Sequence, residues 1–531
     1  MSSANALKIE INKGDFRPDP LATVPFYGED GQDSDLGIAI SEIINNDLVL
    51  SGLFIPIDSS MFLETKETLC KFGPNIKNWN VLNARFLVYG KITKNSDSFS
   101  VTFNLVDVVT GQKMLSLKID GTIAKMRKVA HIIADYIYER ITNEKGYFNT
   151  NIVYVETSYN KVSSKRRTRL VKIDQDGFNP RNLTDGSELV LTPRYANDGK
   201  MMAFISYRDK AVDALGKSAH IYILDSATGQ KRLMISDSLM KELLKKNHGN
   251  PVQMTYAPRF SPDNESAVLA IIIDGKSSIY KINFATNKLT QLTTSEGVDW
   301  HSRDGSTIDT SPCYSPDGDK IVFTSNRAGR EALYTMNADG SDLKKISNSD
   351  GRANYSQPVW SPRGDLIAFA KQMGKEFYIG VMKPDGSGER LITSGFLVES
   401  PCWSSNGRYL TYTIEPNRGA KPAIAVVDTT GVHARILPTK GVDAADPAWS
   451  PTIGFTEIGK QRPEEKAKEQ PVYKEAEADT DDEEDEPKKP AKKENHKKPH
   501  VKSEGFLKVP EDSAHSHIKN KKKKVFGKSV K

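Results

Sequence analysis

The chain has 531 residues, 37% of them hydrophobic, with 74 Lys and Arg against 68 Asp and Glu. That length calls for more than one domain, and 20 Phe with 19 Tyr supply ample cores, which excludes a wholly unstructured polymer. No apolar run approaches the roughly 18 residues a membrane-crossing helix requires; the longest, AVLAIII from Ala267, suits a buried strand.

The opening residues MSSANALKIEI contain Ala4-Asn5-Ala6, the small-x-small pattern of a signal-peptidase site, without a basic or apolar segment before it. Residues 7–147 then read as a small α/β domain. Leu7–Ile11 alternates Leu, Ile, Ile with Lys and Glu, a strand pattern. Asp35 is placed to cap a helix whose apolar stripe is Leu36, Ile40, Ile43, Ile44 and Leu48. Phe86–Ile92, Phe99–Leu105 and Met114–Ile119 predict three antiparallel strands. A second amphipathic helix follows, with Met126, Val129, Ile133, Tyr136 and Ile137 on one face. His131 falls off that stripe, so the pattern predicts it exposed.

From residue 148 the chain repeats. A Pro-x-aromatic element recurs in TPRYANDGK, APRFSPDNE, SPCYSPDGD, QPVWSPRGD, SPCWSSNGR and DPAWSP, on Pro193, Pro258, Pro312, Pro358, Pro401 and Pro447. The last three intervals, 46, 43 and 46 residues, match the length of propeller blades. The first two, 65 and 54, carry insertions at KELLKKNHGN and EGVDWHSRDGSTI. Within one repeat, Pro316-Asp317-Gly318 turns the chain into a strand through Ile321 and Phe323. A second strand through Leu333, Tyr334 and Met336 ends at Asp339-Gly340, and Leu343–Ile346 supplies a third. Such a unit is too small to stand alone. The sixth motif lacks a full blade after it, whereas IVYVET, TRLVKID and NPRNLT before the first motif lack an initial strand. Joining the two closes a six-bladed ring and hides its edges. Tyr195, Phe260, Tyr314, Trp360, Trp403 and Trp449 recur at one position per blade and are expected to pack between sheets rather than to form a ligand cage. Cys313 and Cys402 share a motif position in different blades, which argues against a disulfide between them.

From about Gly459 the composition changes again. Residues 475–486 hold nine acidic side chains, and residues 488–531 hold fifteen lysines against four carboxylates. Little there can be buried, so a disordered tail over 459–531 is expected. Its lysines suit an anionic polymer or membrane surface, or the tail's own acidic block; no nucleic-acid-reading motif accompanies them, and no nucleic acid is expected.

Catalytic signatures are scarce. No G-x-S-x-G elbow occurs, FGKS near Phe526 lacks the upstream glycine of a phosphate loop, and the nine histidines are scattered. The Asp-Gly pairs come once per blade, as turns do, and lack the spacing of a calcium loop. The residues therefore imply no catalytic group, no cofactor and no metal. Two other readings stay open. The propeller of a hydrolase would need some 200 or more further residues of catalytic domain, and a lactonase-like one would lose activity on chelation. A cytoplasmic propeller scaffold follows if no apolar export segment precedes Met1.

The six blades, preceded by a domain of about 140 residues opening LKIEINKGDFRPDPLATVPF, resemble the TolB family of the Tol–Pal cell-envelope system. ISEIINNDLVLSGLFIPID, GYFNTNIVYV, LVLTPRY and LVESPCWS reinforce the similarity, which spans residues 7–454. The resemblance implies an α/β N-terminal domain over 7–147, an all-β six-bladed TolB/WD40-like propeller over 148–458, and residues 1–6 as the remnant of a cleaved, truncated export signal. It also implies a non-catalytic periplasmic protein that serves outer-membrane integrity, cell division and colicin-type import. Its partners would be the Pal lipoprotein, TolA and other envelope proteins. The Pal-facing positions would be Met254, Thr255, Ala257, Asp309 and Thr310, and by symmetry Tyr355, Ser356, Glu399 and Asp446. The TolA segment would be Leu7, Lys8, Ile9, Glu10, Ile11, Asn12 and Lys13.

Overall fold

The structure, a computed structural model, describes residues 17–160, 165–207, 219–249, 252–254, 258–273, 275–294, 307–348, 352–439 and 441–452. The export-signal remnant, the segment Leu7–Lys13 and the tail at 459–531 lie outside the described residues.

The N-terminal domain is one five-stranded sheet between two pairs of helices. Its elements are β1 (Asp19–Thr23), α1 (Asp35–Leu50), β2 (Phe54–Pro56), α2 (Lys66–Phe72), α3 (Ile76–Val81), β3 (Phe86–Asn95), β4 (Ser98–Asp107), β5 (Gln112–Thr122) and α4 (Met126–Thr142). The strand order is β2-β1-β3-β4-β5. The three strands expected from alternation, β3 to β5, pair antiparallel. The sequence pattern missed β1 and β2, which join the sheet in parallel and are too short to show a period.

Both faces of β3 are covered, so its first five residues are all buried. Phe86 and Val88 point toward Ile40, Ile44, Val129 and Ile133 of α1 and α4, while Leu87 and Tyr89 pack with Leu69 and Trp79 of α2 and α3. Two details differ from the sequence reading. The cap of α1 is Ser34, whose hydroxyl accepts from Gly37 N at 3.2 Å, and Asp35 lies in the first turn, where its charge favours the helix dipole. His131, expected exposed, is only 3% exposed, because the flank of α4 that carries it faces the propeller rather than water.

The propeller has six four-stranded blades, the second with its innermost strand in two pieces. Strands β6 (Asn151–Asn160), β7 (Lys165–Asp174) and β8 (Arg181–Asn182) belong to the last blade, completed by Asp443–Trp449 from the far end of the ring. Ala448 and Trp449 pair with Val153 and Ile152 there, so closure follows the sequence reading. The insertion at residue 245 is a helix, α5 (Asp237–Lys246), whose Met240 and Leu243 are buried. Cys313 and Cys402 are buried free thiols, and Cys70 is free and half-buried.

Each turn leaving an innermost strand is a hydrogen-bonded β-turn. The bonds run from Gly199 N to Ala196 O, Asn264 to Ser261, Gly318 to Ser315, Gly364 to Ser361 and Gly407 to Ser404, at 2.9–3.0 Å. The fourth residue of each turn has φ between 60° and 83°, which explains Gly or Asn there. The Asp-Gly pairs lie in turns, as expected, some in these inner turns and others in the outer ones. Gly340 N bonds Asn337 O and Gly386 N bonds Lys383 O, each at 2.9 Å.

Candidate binding surface at the propeller mouth

The residue before the repeated proline determines the geometry of the channel. Thr192, Ser311, Gln357, Ser400 and Asp446 all take positive φ, between 47° and 55°. At the same place the pairing of the innermost strand with its neighbour slips, between Thr310 and Cys313, Ser356 and Val359, Glu399 and Cys402, and Ala445 and Ala448. Proline cannot donate to the ladder, so the strand bulges there, and the bulge re-aims side chains. The left-handed backbone is costly for non-glycine residues, and the surrounding sheet holds it. Side chains also brace the bulges around the ring. Gln357 Oε1 accepts from Ser400 N at 2.5 Å, Ser400 Oγ donates to Asp446 Oδ1 at 2.8 Å, and Asp446 N donates to Thr413 Oγ1 at 3.0 Å.

Above the bulges lies a cavity of about 730 Å³, to which Met254, Thr310, Ser356 and Glu399 all contribute. Sequence reasoning missed several of its walls, among them Tyr207, Gln253, Glu331, Phe377 and Leu397. Tyr207, Glu331 and Phe377 come from the second and third strands and their loops, and Gln253 and Leu397 from the beginnings of innermost strands, ahead of the repeated motif that marks those strands in the sequence. Burial pushes the Glu399 carboxyl up to about 7, with Asp446 and Glu415 adding like-charge repulsion. Burial likewise raises Glu331.

The other anticipated positions sit beneath this surface or beside it. Asp309 is 0% exposed, and both its oxygens accept from Arg327 Nη2, at 3.0 and 2.8 Å. Tyr355 is fully buried; its hydroxyl donates to Asn348 O or Glu389 Oε2, and Lys371 Nζ lies 4.6 Å from its ring centroid. Asp446 is half-buried. Thr255, Ala257 and Leu7–Lys13 lie outside the described residues.

A second polar constellation joins the domains. Asp47 of α1 is fully buried, and His131 Nδ1 stands 2.6 Å from its Oδ2. Arg127 Nε donates to Asp174 at 2.7 Å and Nη2 to Asp176 at 2.6 Å, while Gln175 Nε2 donates to the other oxygen of Asp47 at 2.8 Å. Burial opposes the imidazolium, yet Asp47, Asp174 and Asp176 outweigh it and hold the His131 pKa at about 10. Asp47, His131 and Asp176 are close enough together to share a divalent ion. Arg127 and His131 already supply the positive charge that an ion would bring. Around this cluster Tyr409 Oη donates to Ser51 O at 2.7 Å, and Arg363 and Arg408 both pair with Glu144.

The fold and the two polar constellations define a β-propeller with a rigid channel mouth, locked to a small α/β domain through buried charge. The family profile described as the TolB beta propeller domain matches residues 138–453, and that of the TolB amino-terminal domain matches residues 7–114. The chain belongs to the TolB family. The crystal structure of TolB from Acinetobacter baumannii has the same fold, with a TM-score of 0.67 at 24% identity over 82% of this chain and 97% of that one. An oligogalacturonate lyase from Vibrio parahaemolyticus is a more distant likeness. Its TM-score is 0.35 at 12% identity, over 54% of this chain and 85% of that one. No helix among the described residues is long and apolar enough to cross a membrane.

Proposed function

We propose that this chain is a non-catalytic periplasmic connector of the cell envelope, binding the Pal lipoprotein at the propeller mouth and TolA through Leu7–Lys13. Through that link it would serve outer-membrane integrity and cell division, and colicin-type import would exploit it. The observation that carries the reading is the braced ring of bulges beneath the cavity of Met254, Thr310, Ser356 and Glu399. A surface held by strained backbone loses little entropy when a partner docks, so a short contact list yields useful affinity. In this reading Met254 and Thr310 touch Pal, Ser356 and Glu399 extend the contact, and Asp309, Tyr355 and Asp446 hold the ring in shape. Thr255 and Ala257 would add contacts to Pal, and the lysine-rich tail would contact anionic envelope components.

Calorimetry with purified Pal and the full-length chain tests the mouth. Thr310→Arg fills the cavity with a long cation and should weaken Pal binding at least tenfold with unchanged circular dichroism, because clashes at an interface centre dominate affinity. Undiminished binding would remove the mouth from the interface. Deleting residues 7–13 should abolish TolA binding and spare Pal; retained TolA affinity refutes that half of the reading.

A further inference from the structure

The opposite mouth of the channel has a different lining. A cavity of about 430 Å³ opens there, walled by all six repeated aromatics: Tyr195, Phe260, Tyr314, Trp360, Trp403 and Trp449. The sequence reading assigned them to packing alone, and they do pack, with Trp403 Nε1 donating to Val359 O at 2.9 Å and Trp449 Nε1 to Thr150 Oγ1 at 2.8 Å. Their remaining surfaces converge on one space. Among the described residues, the charged ones on its wall are Arg194 and Arg259, and none of the lining side chains is an acid. Prolines of the inner turns, Pro262, Pro316 and Pro362, form its rim. The chain itself leaves at that rim: Ser450, Pro451 and Thr452 line the cavity, and the Thr452 hydroxyl is hydrogen-bonded to that of Ser405 at 2.8 Å.

The next residues read Ile453-Gly454-Phe455-Thr456-Glu457-Ile458-Gly459, with three large apolar side chains and one charge, an acid. The next eleven, residues 460–470, carry seven charged side chains and no large apolar one, so the apolar cluster stands alone beside the cavity. We infer that the chain's own segment Ile453–Ile458 seats in this mouth, with Phe455 among the aromatic rings and Glu457 directed to Arg194 and Arg259. Three extended residues reach about 10 Å, so Phe455 attains the cavity from Thr452 without strain. A tether that short holds the phenyl ring at an effective concentration in the mM range, above that of any second copy. Ring-to-ring contacts and an acid facing two cations then select this segment over the lysine-rich stretches farther on.

Two measurements on the full-length chain decide the matter. In the first, a photocrosslinking phenylalanine analogue replaces Phe455, and the adducts are mapped by mass spectrometry. The expected product is an intrachain link to the strands bearing Tyr314, Trp360 or Trp403, in a yield independent of protein concentration. Links to other surfaces, or links between chains that grow with concentration, overturn the inference. In the second, the five tryptophans are fluorinated and observed by fluorine NMR. Phe455→Ala should shift the resonances of Trp360, Trp403 and Trp449 and leave that of Trp79, in the N-terminal domain, in place. Unmoved channel resonances refute the seating of Phe455 even if the fold is intact. Neither readout depends on Pal or TolA, so this inference and the proposed function fail separately.

Discussion

Glu399 shows how one residue carries both the fold and the proposed surface. It follows Val398, which is fully buried, and precedes Ser400, whose left-handed backbone sets the bulge. Burial, with Asp446 and Glu415 nearby, lifts its pKa from 4.5 to about 7. A carboxyl whose folded pKa lies above the unfolded one favours the folded state most below the unfolded value. That advantage is lost as pH rises from about 4.5 through 7. Glu399→Gln removes the ionisation. The variant should therefore be more stable than the parent at pH 8, by on the order of 1–3 kcal/mol, with the gain shrinking toward zero near pH 4.5. Urea unfolding at the two pH values measures this, and a gain independent of pH would show that Glu399 ionises freely. Nothing in ESPCWS announces the shift, because it arises from residues brought together by the ring and not by the chain.

At the scale of elements, the repeats were legible because each blade restates the same chemistry. Proline stops the innermost ladder, a four-residue turn ending in Gly or Asn follows it, and a Gly or Asn closes the outer turn, preceded by Asp at Asp176-Gly177, Asp339-Gly340 and Asp385-Gly386. The amphipathic stripes of α1 and α4 were legible for the same periodic reason. Two things were hidden. The bulge at Thr192, Ser311, Gln357, Ser400 and Asp446 uses ordinary residues in a conformation usually signalled by glycine, so composition does not reveal it. The role of the outer-turn glycines was hidden as well, since it lies between blades. A methyl group on Gly386 would stand 1.9 Å from Ile346 O of the preceding blade, and one on Gly340 2.7 Å from Leu292 O. These turns press on their neighbours' backbone, so each glycine serves the seam as much as the turn. Gly386→Ala meets both the carbonyl and a φ of 86°. It should destabilise the propeller by roughly 3 kcal/mol or more, as strain and overpacking add. Gly374→Ala is the control, with a φ of 64° and no atom within 4 Å, and it should cost only about 1 kcal/mol. Thermal melts of the two variants separate seam packing from backbone strain. Equal losses would refute the seam.

For the whole molecule, the decisive region is where the α/β domain meets the ring. One apolar core runs through both, from Ile44 and Ile133 to Tyr409 and Trp449, with Tyr147 and Tyr409 ring centroids 4.4 Å apart. Within it sits the group that sequence periodicity placed at the surface. His131 departs from the stripe of its own domain because it serves the partner domain, and a helical pattern read within one domain has no means of representing that. Its imidazolium answers Asp47 from one domain and Asp174 and Asp176 from the other. A histidine pKa raised from about 6.5 to about 10 stabilises the folded state fully below the lower value, and the contribution is lost as pH rises through the upper one. His131→Ala leaves Asp47 buried without its cation, so it should cost about 3–5 kcal/mol at pH 6. The deficit relative to the parent should narrow between pH 7 and 10, because the parent is then losing the same interaction. With the junction weakened, the α/β domain should also melt in a separate, earlier step, visible by calorimetry as two transitions where the parent shows one. A single transition, or a deficit that does not change across that pH range, would show that the apolar core alone joins the domains and that the buried charge does not lock them.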